Sequence, residues 1–112
     1  MIRLDITTLA AAYRARTCSP PEVIEQVLSR MRQHESNPVW ISRVEAGALR
    51  ARAAELARLA PDSLPLYGIP FAVKDNIDVA GLPTTAACRE FAHMPAASAA
   101  VVIAARASDS RA

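Results

Sequence analysis

Lys74 stands directly after an apolar run, Leu66 to Val73, and directly before Asp75 and Asn76. An amine at the base of a buried strand loses hydration, which disfavours its charged form and lowers its pKa, and a neutral amine can accept a proton. The spacing therefore offers a general base. The same residues also admit a plainer role, a strand-end lysine reaching solvent or pairing with Asp75 or Asp78. Asn76, Gly81, Pro83, Thr84 and Thr85 follow as a polar turn and loop, the kind of segment on which site residues tend to lie.

Other reactive residue types are sparse. His34 and His93 stand far apart without partners at ligand spacing, so no metal site is expected, and nothing in the sequence implies a cofactor. Cys18 and Cys88 lack CxxC spacing and read as free thiols. The net charge of +2 comes from interspersed charges, with Arg50, Arg52 and Arg58 reading as a solvated helix face, so nucleic acid is not expected as a partner. The longest apolar run, Ala99 to Ala105, is too short to span a membrane. Met1 to Tyr13 carries Arg3 and Asp5 and is no secretory signal, which makes the cytoplasm the expected location. The oligomeric state is not legible.

The elements around Lys74 can be read locally. Asp5 precedes the 3.6-period stripe Ile6, Leu9, Ala10 and Tyr13, giving a first helix that ends near Thr17. Ser19-Pro20-Pro21-Glu22 combines a serine cap, an early proline and a glutamate three residues on. Val23, Ile24, Val27, Leu28 and Met31 form the apolar face of the second helix, which should stop before Asn37-Pro38. Val39 to Val44, around Trp40, reads as a strand. Leu49, Ala53, Leu56 and Ala60 mark a third helix closed by Pro61 and Asp62. Leu66 to Val73 reads as a second, buried strand with an irregular start at Gly68 and Pro70, and its carboxyl end, where Lys74 sits, would face a ligand crevice. A weak helix carrying Val101, Val102 and Ala105 follows Pro95. The order predicts an α/β unit, and with only two strands it reads as part of a larger layered domain. At 112 residues the chain is one domain at most, and a 4% aromatic content leaves few large side chains to anchor a core.

Gly68-Ile69-Pro70-Phe71-Ala72-Val73-Lys74-Asp75-Asn76, followed by Val79-Ala80-Gly81-Leu82-Pro83-Thr84-Thr85, resembles the lysine-bearing segment of the amidase-signature hydrolases. With the Trp40 segment and Ala86-Ala87-Cys88, the likeness is greater to allophanate hydrolases than to glutamyl-tRNA amidotransferase A subunits or general amidases. The resemblance implies an N-terminal fragment of the α/β/α layered amidase fold, helices plus first strands, and a small-molecule amide substrate. It also implies a Ser-Ser-Lys mechanism in which the position of Lys74 is the base, acting through a bridging serine on a cis peptide, while a second serine attacks the amide carbonyl.

The glycine-rich loop that carries both serines in that family has no counterpart here, because Gly47, Gly68 and Gly81 are isolated and none adjoins a serine. Residues 1–112 are therefore expected to form a truncated N-terminal portion of an amidase catalytic domain that is inactive alone. The resemblance runs from about Leu4 to Val102, and the altered pattern of Ile103 to Ala112 leads us to expect a frameshift or premature stop near Val102. The readings that stay open beside allophanate cleavage in urea degradation are a general amidase, a glutamyl-tRNA amidotransferase A-subunit fragment, and a non-catalytic remnant or interaction module.

Overall fold

The computed structural model describes residues 2–109, and it is these residues whose fold follows. Four α-helices order the chain: α1 (Ile6–Arg14), α2 (Pro20–Gln33), α3 (Ala46–Leu56) and α4 (Ala100–Asp109), with short 3-10 turns at Pro61–Ser63 and Arg89–Phe91. No helix among the described residues is long and apolar enough to cross a membrane.

Capping chemistry sets the helix starts. The Asp5 carboxylate accepts from the Thr8 amide and the Thr8 hydroxyl, both at 2.8 Å, satisfying a donor that the first turn would otherwise leave bare. Pro20 opens α2 at a position that needs no amide hydrogen, and Glu22 accepts from the Ser19 amide at 3.3 Å. Glu45 accepts from the amides of Gly47 and Ala48 and starts α3. α1 ends in a Schellman turn. Thr17 donates to Ala12 at 3.0 Å and Arg16 to Tyr13 at 3.2 Å, with Arg16 left-handed at φ 56°.

The core is helical. Leu9 and Tyr13 from α1, Val23 from α2 and Leu56 from α3 bury together with Tyr67 and Ile69, and Cys18, Val27, Leu59, Leu64 and Leu66 close around them. α2 packs on α3, with Val23 and Leu56 in the shared core and Glu25 paired with Arg50 at 2.5 Å on the surface. The Tyr13 and Tyr67 rings meet edge to face, 5.4 Å apart.

Both expected strands are absent, and with them the sheet of the expected α/β unit: the described residues hold one isolated antiparallel bridge, Thr84 to His93. Val39 to Val44 has the side chains of a strand but no partner strand beside it, and Val39, Trp40, Ile41 and Val44 are exposed. Leu66 to Val73 departs for a local reason. Gly68 adopts φ +65°, which no extended strand contains, and the i to i+3 bonds Tyr67 to Leu64 and Ile69 to Leu66 coil the segment into turns. Pro65 and Pro70 remove further ladder donors. The segment is buried as expected, but only through Tyr67 and Ile69, which enter the helical core, whereas Phe71 and Ala72 are exposed.

α3 ends at Leu56, ahead of the expected Ala60, and Pro61 begins a 3-10 turn instead. α4 continues to Asp109, past the point where the helical pattern weakens; of the expected patternless tail Ser108 to Ala112, positions 110–112 lie outside the described residues.

Candidate functional site

Lys74 follows the coiled segment rather than a strand. It is exposed, and its side chain makes no hydrogen bond or ion pair with any described residue. The burial at a strand base that a neutral amine would need is therefore absent; of the plainer alternatives, the side chain reaches solvent and does not pair with Asp75 or Asp78. Both carboxylates are engaged elsewhere, and that engagement shapes the whole segment.

Asp75 reaches ten residues ahead. Its carboxylate accepts from the Thr85 amide at 3.2 Å, the Ala87 amide at 3.1 Å and the Thr85 hydroxyl, while its carbonyl accepts from the Ala86 amide at 3.3 Å. These donors favour the ionised form, and the Thr85 hydroxyl above all holds the Asp75 carboxyl below the usual carboxylate range. The loop so held contains two left-handed alanines, Ala86 at φ 49° and Ala87 at φ 58°, a conformation that a residue with a Cβ adopts only under outside constraint. On the other side of Asp75, the Lys74 carbonyl accepts from the Ile77 amide at 3.0 Å, closing a tight turn.

Asp78 forms the second clasp. One of its oxygens, Oδ1, accepts from the Thr84 hydroxyl at 2.8 Å and lies 3.1 Å from Nε2 of His93. Thr84 is only 2% exposed, and its amide and carbonyl exchange hydrogen bonds with those of His93 at 2.8 and 3.0 Å. His93, which by sequence stood without a partner, therefore belongs to this clasp, with the Phe91 ring edge-on to it at 5.6 Å. The start of α4 is fastened to the same loop: Ala99 donates to the Asp78 carbonyl and Ala80 to the Ser98 hydroxyl, both at 2.9 Å.

The result is a polar loop, residues 75–93, folded on two aspartates and carrying one exposed amine at its entrance. Among the described residues no cluster of three metal-ligating side chains forms. Two clefts share Tyr13, Pro61 and Tyr67 in their lining, and neither is lined by Lys74. Amine chemistry is what the arrangement offers, and it needs a reacting partner from outside the loop. One compositional signal could have singled the position out: Lys74 is the only lysine in the sequence, every other strongly basic side chain being an arginine, which cannot give up its proton.

The amidase family model matches residues 22–107, which include α2 from Glu22 onward, α3 and the entire Lys74 loop. The chain belongs to the amidase family. Urea amidolyase from Saccharomyces cerevisiae is 43% identical over 81 residues, 71% of this chain and 4% of that protein. Acylamidase from Rhodococcus erythropolis is 34% identical over 103 residues, 89% of this chain and 22% of its own length. Among solved structures, Kluyveromyces lactis allophanate hydrolase superposes with a TM-score of 0.69 at 31% identity, taking in 90% of this amidase-family chain and 18% of that one. The chain thus spans less than a quarter of each of these relatives.

Proposed function

We propose that the chain carries the lysine-bearing part of an amidase active site, with Lys74 as general base and allophanate as the amide cleaved to carbon dioxide and ammonia. The reading rests on the family match over residues 22–107, in which Lys74 lies on its own preformed loop. In the Ser-Ser-Lys scheme a neutral lysine draws a proton through a bridging serine, a second serine adds to the amide carbonyl, ammonia leaves, and water releases the acyl group. No serine here adjoins a glycine, so the nucleophile and the oxyanion donors are assigned to residues other than these. A neutral amine also requires cover from water, and Lys74 is exposed. Both conditions assign the catalytic unit to this segment together with further protein. Each missing element is worth several kcal/mol of barrier, roughly 3–4 for one oxyanion donor alone.

Two measurements test the reading. The 112-residue chain, assayed for ammonia release from allophanate, is expected to match its Lys74→Ala variant. Grafting residues 22–107 in place of the matching segment of the Kluyveromyces lactis allophanate hydrolase is expected to keep turnover, and Lys74→Ala in the graft to abolish it. A graft that folds and turns over equally well with alanine at position 74 would sink the assignment of the base.

A general carboxamide is the second reading, favoured by the likeness to the acylamidase across 89% of the chain. Faster hydrolysis of a simple acyl amide than of allophanate by the graft, but not by the host enzyme, would decide for it.

A further inference from the structure

We infer that Asp75 is a positioning residue for Lys74: through the loop at 85–87 it holds the turn from which the amine projects. The inference rests on the reading of Lys74 as an amidase base and adds the residue that aims it.

The geometry is specific. The residue immediately after the lysine has both its carbonyl and its carboxylate committed, to Ala86, to Thr85 twice and to Ala87. Four donors therefore converge on one residue from a loop ten positions away. The lysine's own carbonyl is held by Ile77. Lys74 is thus pinned by its backbone while its side chain makes no polar contact with a described residue, the arrangement expected where an amine must be aimed at a group supplied by another segment. The carboxylate is also turned away from the ammonium, because its oxygens face Thr85 and Ala87. A pair between the two would favour the charged amine and oppose its use as a base. One residue therefore orients Lys74 and leaves it unpaired. Ala86 and Ala87, left-handed without glycine, are held in that shape by the carbonyl and the carboxylate of Asp75 respectively.

The test is made on the whole chain, labelled with 13C and 15N, by residual dipolar couplings at the N–H and Cα–Hα bonds of Lys74. In the wild type these couplings are expected to fit the same alignment frame as α1 and α2. Asp75→Ala should average them toward zero while the α1 and α2 couplings persist. Asp75→Asn, which keeps one acceptor oxygen, should restore intermediate values, a graded rescue that loss of folding would not produce. Thr85→Val guards against a variant that unfolds, since it removes only the hydroxyl and should move the Lys74 couplings in the same direction. Wild-type couplings at Lys74 in Asp75→Ala, or in Thr85→Val should Asp75→Ala unfold, would overturn the inference and leave Asp75 as a clamp on its own loop. No substrate enters the measurement, so it can fail while the amidase reading stands, and the graft assay can fail while the positioning stands.

Discussion

The hydroxyl of Tyr13 donates to the carbonyl of Gly68 at 2.7 Å across 55 positions of sequence, joining α1 to the coiled segment that leads to Lys74. The contact is close enough that a Cβ on Gly68 would stand 2.8 Å from the Tyr13 ring, and Gly68 is left-handed at φ +65°. Gly68→Ala is expected to cost about 1–2 kcal/mol for the backbone conformation and about 1–3 kcal/mol more for the crowding. Tyr13→Phe removes only the hydrogen bond and should cost about 1 kcal/mol. Urea titrations of the two variants, with unchanged slope and midpoints in that order, check both.

Arg16 holds the left-handed position after α1 that glycine fills most readily. Arg16→Gly should therefore relieve strain, partly offset by the greater freedom of glycine in the unfolded chain, for a net gain of about 0.5–1 kcal/mol. A rise in Tm of a few degrees, about 4–8 °C per kcal/mol for a domain of this size, is the expected reading. An unchanged or lower Tm would mean that the Schellman turn is not a stability determinant here.

Acid should loosen the Lys74 loop. The Asp75 carboxyl titrates below its usual range in the folded chain, so its contribution is present above the unfolded value, near pH 3.9, and is lost as pH falls through the lower folded value. Asp5 and Glu25 are shifted in the same direction, Asp5 chiefly by the Thr8 amide and Glu25 chiefly by the Arg50 side chain, and they add to the same acid limb. Tm followed from pH 6 to pH 2 should fall in the wild type and fall less steeply in Asp75→Asn. Parallel curves would show that the carboxylate carries no linkage.

Thr84 is buried with its hydroxyl on Asp78 at 2.8 Å. Thr84→Val keeps the shape and removes the donor, so a loss of about 0.5–1.5 kcal/mol is expected, accompanied by chemical-shift changes at His93, which shares the Asp78 oxygen. Changes that stop short of His93 would divide the clasp into independent contacts.

Trp40 is 41% exposed between the exposed Val39 and Ile41. Its fluorescence is expected to be red-shifted and readily quenched by acrylamide. The effect of Trp40→Ser on stability should stay within about 0.5 kcal/mol, as for other surface positions. A protected, blue-shifted tryptophan in the monomer would contradict the exposed strap.

Near-neighbour chemistry was legible from the residues alone. Asp5 with Thr8 and Ser19-Pro20-Pro21-Glu22 place two helix starts because caps act over three residues, and the stripes Leu9 with Tyr13 and Val23 with Val27 mark the buried faces because side chains three or four apart share one side of a helix. The Lys74 motif, likewise local, was enough to reveal the family. Only tertiary structure decided the rest. Val39 to Val44 and Leu66 to Val73 have strand composition, but a strand exists only where another segment accepts its hydrogen bonds, and Gly68 turns toward Tyr13 instead. Asp75 and Asp78 carry no mark in the sequence of their hold on Thr85, Ala87, Thr84 and His93, since those contacts close over loops of six to fifteen residues whose path the helical core and α4 set. Lys74 is left exposed because burial is a property of what packs over a residue, and nothing in the residue's own neighbourhood encodes it.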